Sequence, residues 1–419
     1  MKIMRATILT VAVATSNVFA CGDYQSLKTP RDLALAAASD NGLRAGVAIK
    51  RLRALGREGF DALLAAHPGA LANPAQLDPK LRYAMDLVAA QRDAHASRLF
   101  WHTDLEQAKA EAQKLGRPIL SLRLLGQLDE EFSCANSRYF RTALYPNKEI
   151  NEILRDDFVL HWESVRPVPR ITIDYGDGRK LERTITGNSA HYVLAPDGQP
   201  IDALPGLLGP KAFVRELQAA TELHRRYLAV DDADARRALL RNYHSKRLAS
   251  SLSDWMSDLQ KVRASVNHPQ KLTHAALVAQ TTTEDWKAIA QLHRDDARLD
   301  NDSKALMRLK NPAPRAAEAG QIAVSKRAFE DPMLRAMREF EGSMAEDSVR
   351  NRYDLHTQIH EWFAQGAPQT SAVAQLNELV YARLFLMPSW DPWLGLRPSN
   401  AYSGLESDGA TLASSVPAR

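Results

Sequence analysis

The motif in this chain best suited to chemistry begins at a single cysteine, Cys134. It follows Pro118 to Leu125, a short apolar and partly alternating run that predicts a buried strand. The acidic turn and Ser133 that come next predict a helix beginning near Cys134. A helix N-terminus favours a thiolate over a thiol. Cys134 is therefore our candidate nucleophile.

Two residues in the predicted helix could assist this thiol. Ser137 lies one turn after Cys134 and is a candidate hydrogen-bond partner of the sulfur, whereas Arg138 could add electrostatic support. The acidic residues 129–131 just upstream would instead disfavour the negatively charged thiolate. The alternative is an inert thiol, because free cysteines commonly lie buried as small hydrophobic residues, and a serine in a first helical turn is commonly a helix-start residue.

An active Cys134 would be a thiol without a resolving partner nearby. The only other cysteine is Cys21, near the N-terminus. Attack on a disulfide would give a mixed disulfide that no neighbouring thiol resolves, so release would wait for an external thiol. The corresponding partner is a protein that carries a thiol or a disulfide.

The first 20 residues predict export. A basic start with Lys2 and Arg5, an uncharged run and the sequence Val18-Phe19-Ala20 form the layout of a secretory signal. Together with Cys21, this sequence resembles the lipobox of bacterial lipoproteins, which implies lipid attachment at Cys21. The alternative is ordinary cleavage that leaves Cys21 as a free thiol. The predicted location is the periplasmic face of the outer membrane, or the soluble periplasm if Cys21 is not lipidated.

Composition narrows the choice of partner. The chain has 419 residues and 45% hydrophobic content, enough to bury a sizeable core in two or three domains. Its formal net charge is +4, and it falls by two if Lys2 and Arg5 are removed with the leader. A charge this close to zero does not favour electrostatic binding of nucleic acid. Membrane contact is predicted through the N-terminal lipid only, and no motif of a common cofactor class occurs.

Periodicity divides the chain into five segments. A leader (1–20) precedes an N-terminal helical segment (21–97) that is rich in Leu and Ala at helical spacing. Residues 98–227 mix predicted strands and helices, and residues 228–396 read as a larger all-α domain. A flexible tail (397–419), rich in Ser, Gly and Ala, ends the chain.

The central segment has the element order of a known superfamily. A helix and strand in FWHTDLEQAKAEAQKLGRPILSL, the helix start SCANSRYF, the strand DDFVLHW and the closing HYVLAPDGQPIDALPGLLGPKAFVREL together resemble the thioredoxin-like fold. The resemblance implies an α/β domain and thiol-disulfide chemistry at a Cys-x-x-Cys turn. This chain has Cys-x-x-Ser there, Cys134 to Ser137, and Gly187 to Ser189 where the family has a cis-proline.

Two histidine motifs are secondary candidates. His356 and His360 have the i, i+4 spacing that lets two imidazoles on one helix face reach one zinc ion. No third ligand can be named from the sequence, so buried structural histidines are favoured and no metal site is assigned. His161 and Glu163 follow a predicted strand at its C-terminal end, where open sheets place sites, but an ordinary strand edge explains them equally simply.

Three hypotheses for function follow, and the last is a metal-dependent envelope enzyme that uses His356 and His360. In the first, the protein is an envelope thioredoxin-like protein that captures or slowly exchanges disulfides through Cys134. In the second, it is a non-catalytic interaction or scaffold lipoprotein whose thioredoxin-like unit and helical segments bind a protein partner.

Overall fold

The computed structural model describes residues 27–69, 76–267, 269–310, 332–366, 372–396 and 404–405. The predicted leader, Cys21 and most of the predicted tail lie outside these residues. Within the described ranges, no helix combines the length and the apolar character that a membrane span requires.

The N-terminal segment is helical, as its apolar spacing predicts. Its described part contains α1 Pro30–Ala37, α2 Gly42–Ala54, α3 Arg57–Ala66, α4 Pro79–Ala89 and the single turn α5 Ala94–Ser97. Thr29, Asn41 and Asp78 cap the first, second and fourth of these by accepting backbone N–H hydrogen bonds. The helices enclose a hydrophobic core of their own, which includes Leu52 and Phe60.

Close packing between α2 and α3 requires a glycine at position 59. A Cβ atom on Gly59 would overlap the backbone carbonyl of Leu52. We expect Gly59→Ala to lower the free energy of unfolding by about 1–3 kcal/mol, because the two helices must separate. Gly46 is the matched control: it lies inside α2 with no atom within 4 Å of an added Cβ, so Gly46→Ala should stabilise by about 0.5–1 kcal/mol. Urea unfolding measures the free energy of unfolding of both variants. Equal effects of the two substitutions would contradict the close packing of α2 and α3 at Gly59.

A mixed sheet forms the centre of the molecule. The strands are β1 Ile119–Leu125, β2 Val159–Arg166, β3 Arg170–Asp174, β4 Lys180–Thr184, β5 Ser189–Leu194 and β6 Pro200–Pro205. Four of them form one sheet in the order β2-β1-β5-β6. β1 runs parallel to β2 and antiparallel to β5, and β5 runs antiparallel to β6.

Both faces of this sheet are covered. The helices around it are α6 Leu105–Leu115, α7 Ala135–Tyr139 with a π-helical continuation Phe140–Leu144, α8 Lys148–Asp157 and α9 Pro210–Leu228. Alternate residues of β1 divide between the faces: Leu120 and Leu122 join the main hydrophobic core, and Ile119 joins a second core on the opposite side. Every β1 residue is buried, as the apolar run predicts.

Strands β3 and β4 form a separate hairpin that is largely exposed. It pairs Ile171 with Arg183 and Ile173 with Leu181, and turns through Gly176 and Gly178, both with positive φ. The Gly-Asp-Gly turn predicted this hairpin correctly.

The C-terminal segment is helical, and its helices share the core of the sheet. They are α10 Ala233–Val262, α11 His274–Gln280, α12 Thr283–Leu292, α13 Asn301–Lys310, α14 Pro332–Arg350, α15 His356–Ala364 and α16 Val373–Arg383. Trp255 and Tyr353 belong to the same core as Leu120, whereas Phe363 and Val380 belong to the second. The predicted combination of an α/β unit with helical segments is confirmed at this level.

Candidate functional site

The chain leaves β1 and folds back before it reaches Cys134. Gly126 begins the connection with a φ of 74° and donates its N–H to Arg166 at the end of β2 (2.8 Å). The Cys134 N–H donates to the carbonyl of Leu125 (3.2 Å), so the connection closes on the strand from which it departed. Cys134 is the N-cap residue of α7, and its position at a helix start is confirmed.

The Cys134 thiol is fully buried. Its relative exposure is 0%, and it belongs to the main hydrophobic core together with Tyr139, Phe140 and Tyr145. Burial raises the pKa of the thiol, and the hydrogen bonds from Ser137 offset this only in part. The thiol is therefore neutral near pH 7, which matches the alternative of a buried cysteine that packs as a small hydrophobic residue.

Ser137 is a hydrogen-bond partner of the sulfur, but through its backbone. The Ser137 backbone N–H, not its hydroxyl, donates to Cys134 Sγ (3.4 Å), while the hydroxyl donates to the Cys134 carbonyl (2.9 Å). Arg138 donates its backbone N–H to the same carbonyl (3.1 Å). These contacts are those of the first turn of a helix, so Ser137 has the geometry of a helix-start residue.

A charged cluster lies beside the connection that leads to Cys134. Arg141 is fully buried and donates to Asp93 (2.9 Å) and to the backbone carbonyl of Glu131 (2.8 Å). Lys310 also contacts both acidic side chains, at 2.7 Å from Asp93 and 3.4 Å from Glu131. Within the acidic turn, Glu131 is therefore paired with both Arg141 and Lys310.

His161 and Glu163 lie inside β2, which continues to Arg166, so they are not at the C-terminal end of the strand. His161 is buried, with Nδ1 2.8 Å from the Ser121 hydroxyl. Glu163 forms an ion pair with Arg123 across the β1–β2 register. The two side chains have separate partners on β1, and the described structure does not join them into one site.

A second cluster forms where the β6 edge of the sheet meets the C-terminal helices. We define the histidine cluster as Asp202 of β6, His244 of α10, and His356 and His360 of α15, all at most 2% exposed. His244 Nδ1 lies 2.9 Å from His360 Nδ1, and His356 Nε2 lies 3.1 Å from Asp202 Oδ1. The rings of His356 and His360 are 4.1 Å apart.

Comparisons of the chain with protein-family models, curated proteins and solved structures find no match. The residues themselves must therefore indicate what the site can do.

The electrostatics of the histidine cluster favour a charged carboxylate. Burial alone would raise the pKa of Asp202, but His356 and the other two imidazoles lower it below its ordinary value. Burial lowers the pKa of His244 to about 4. The cluster thus combines one carboxylate with imidazole nitrogens that can act as ligands.

Half of this cluster carries a signal in the sequence. The spacing of His356 and His360 placed them on one helix face, which is confirmed, but Asp202 and His244 carry no local signal. Asp202 lies on an edge strand and His244 on a long helix, more than 100 residues before the pair. Only the packing of α10 and α15 over β6 brings the four together.

Proposed function

We propose that the protein is a non-catalytic interaction protein of the bacterial envelope, in which a thioredoxin-like α/β unit serves as the scaffold. The observation that supports this choice is the burial of Cys134 at 0% exposure. Disulfide exchange requires a thiolate that an external disulfide can reach in line. A neutral, enclosed thiol meets neither requirement, which counts against thiol capture and favours the scaffold hypothesis.

The order and direction of the strands support the thioredoxin-like part of the proposal. A strand, the cysteine at a helix start, a parallel strand, an antiparallel strand pair and a closing helix follow one another from β1 to α9. The β3–β4 hairpin is inserted between β2 and β5. The leader and the lipobox-like sequence at Cys21 support export and a lipid anchor.

The hairpin provides a surface for a protein partner. Ile171, Ile173 and Tyr175 alternate along the chain, and their relative exposures are 45%, 46% and 56%. Alternate residues of a strand share one face, so Ile171 and Ile173 form an exposed apolar pair, and the exposed Tyr175 follows directly after the strand. Exposed apolar residues of this kind, on strands with unpaired edges, are typical of binding by strand addition or by apolar contact. A partner protein with an apolar strand or groove fits this surface.

Site-specific photocrosslinking in cells tests the proposal. A photoreactive residue replaces Ile173 in one variant and Leu228 in the control; Leu228 is similarly exposed (41%) and ends α9. We expect one discrete crosslinked species from position 173 and none from position 228. The species should persist in the Cys134→Ala background and in the presence of a reductant.

Two outcomes would reject the proposal. Equal crosslinking from positions 173 and 228 would show that the hairpin is not a specific surface. A partner held to the chain through Cys134, visible as a complex that dissociates on reduction and is lost in Cys134→Ala, would favour thiol capture.

A further inference from the structure

The histidine cluster contains a set of potential metal ligands. One carboxylate oxygen of Asp202 and one ring nitrogen each of His244 and His360 lie within 4.8 Å of one another. Two imidazoles and one carboxylate form a ligand set that proteins use for zinc and other divalent transition metals. Hard cations such as Mg²⁺ and Ca²⁺ prefer sites built from oxygen, so this set selects against them.

Hydrogen bonds to neighbouring groups already orient these ligands. His244 Nε2 lies 2.9 Å from the backbone carbonyl of Ile201, to which it donates, so that Nδ1 is left as the unprotonated nitrogen. This Nδ1 is the atom that faces His360. A ligand histidine whose other ring nitrogen donates to a backbone carbonyl is the usual arrangement around bound metals.

The carboxylate is held in a comparable way. Asp202 Oδ1 accepts the backbone N–H of Ala203 (2.8 Å) and lies 3.1 Å from His356 Nε2. Conventional outer-shell partners thus orient both kinds of ligand. A buried carboxylate is costly unless a positive charge compensates it, and a divalent cation in this position would provide that charge.

A small pocket adjoins the cluster. It measures about 40 Å³ and is lined by His356 and His360 together with Ser251 and Arg247. A water molecule needs about 10–15 Å³ of such space, so the pocket can hold one beside His360. Its other lining residues include Ser250 and Asp254, whose exposure connects the pocket with solvent.

We propose that Asp202, His244 and His360 bind one divalent transition-metal ion of the zinc class, with His356 as the outer-shell partner that positions Asp202. For His360 to bind through Nδ1, the proton it shares with His244 moves to its own Nε2, and no net proton is released. The ion would join β6 to α10 and α15 and so fasten the C-terminal helices to the sheet edge.

The test uses the mature full-length chain, purified without a histidine tag and stripped with a chelator. Co²⁺ is the spectroscopic probe and Zn²⁺ the competitor. We expect one equivalent of Co²⁺ to bind with visible d–d absorption, and one equivalent of Zn²⁺ to abolish the absorption. Zn²⁺ should also raise the Tm of the stripped protein.

Variants assign the ligands. Asp202→Asn, which keeps the side-chain shape, and His360→Gln should each weaken Zn²⁺ binding at least about 100-fold, and His356→Gln by about 10–100-fold. His224→Gln is the control, because His224 is a buried histidine outside the cluster. If His360→Gln fails to fold, the affinity of Asp202→Asn for Zn²⁺ decides whether the histidine cluster is the binding site. Absence of stoichiometric binding to the stripped wild-type chain, or unchanged affinity in folded Asp202→Asn, would overturn the proposal.

Discussion

Replacement of Asp93 by asparagine is expected to lower the free energy of unfolding by about 3–5 kcal/mol, because it removes the nearest counter-charge of a buried cation and leaves only the half-exposed Glu131 carboxylate at 3.8 Å. Arg141 is 0% exposed and reaches Asp93 at 2.9 Å, and Lys310 reaches the same carboxylate at 2.7 Å. Asparagine keeps the shape of the side chain and tolerates the left-handed backbone at this position (φ 63°). The variant therefore isolates the charge, and urea unfolding measures its effect.

Asp156 provides the matched control. It pairs with Arg155 at 3.0 Å, but both side chains are about half exposed (56% and 42%). Solvent screens this pair, so Asp156→Asn should cost less than about 1 kcal/mol. Adding Arg141→Met to Asp93→Asn should restore part of the lost stability, because it removes the buried cation that has lost its nearest counter-charge. Equal costs for the two asparagine variants would contradict the account of the charged cluster.

Acidification from pH 7 to pH 5 is expected to destabilise the protein through its buried histidines. Burial lowers the pKa of His161 and of His191 to about 3 each, from an ordinary value of 6.5. In this interval the unfolded chain takes up protons at these residues and the folded chain does not. Their contribution is intact above about pH 6.5 and declines as the pH falls toward 3. Each should cost about 2 kcal/mol of stability by pH 5.

Two other groups act in the opposite direction and provide a control. Burial raises the pKa of Asp86 to about 6, and hydrogen bonding of the His293 ring to the Asp258 and Asp296 carboxylates raises the pKa of His293 to about 9. Both groups bind a proton more tightly in the folded chain than in the unfolded chain. Between pH 7 and pH 5 each should therefore raise the free energy of unfolding by about 1 kcal/mol, which offsets part of the loss from the histidines. His191→Gln should therefore reduce the difference in stability between pH 7 and pH 5, and His293→Gln should increase it. Urea midpoints at the two pH values measure this difference for each variant and for the wild-type chain. The same difference in all three would contradict the roles given to His191 and His293.

Local patterns in the sequence predicted the elements well. The alternation of Pro118 to Leu125 located β1, the Gly-Asp-Gly turn located the β3–β4 hairpin, and helical spacing located the N-terminal helices. These signals succeed because each depends on residues near one another in the chain. The placement of Cys134 at a helix start is of the same local kind.

Burial and long-range contacts could not be predicted in this way. The thiol is enclosed because residues 126–133 fold back on β1 and place Cys134 against the core. The ligand set of the histidine cluster depends on an edge strand meeting two helices that are distant in sequence. The missing signal in both cases is tertiary packing, which no motif spacing encodes.

The measurement closest to the central claim is the rate at which Cys134 reacts with iodoacetamide in the folded chain. Cys21→Ser leaves Cys134 as the only cysteine of the chain. The account predicts no modification in native buffer near pH 7, and modification that follows the unfolding transition as urea is added. Stoichiometric modification of the folded chain under native conditions would show an accessible, reactive thiol and would contradict a non-catalytic scaffold.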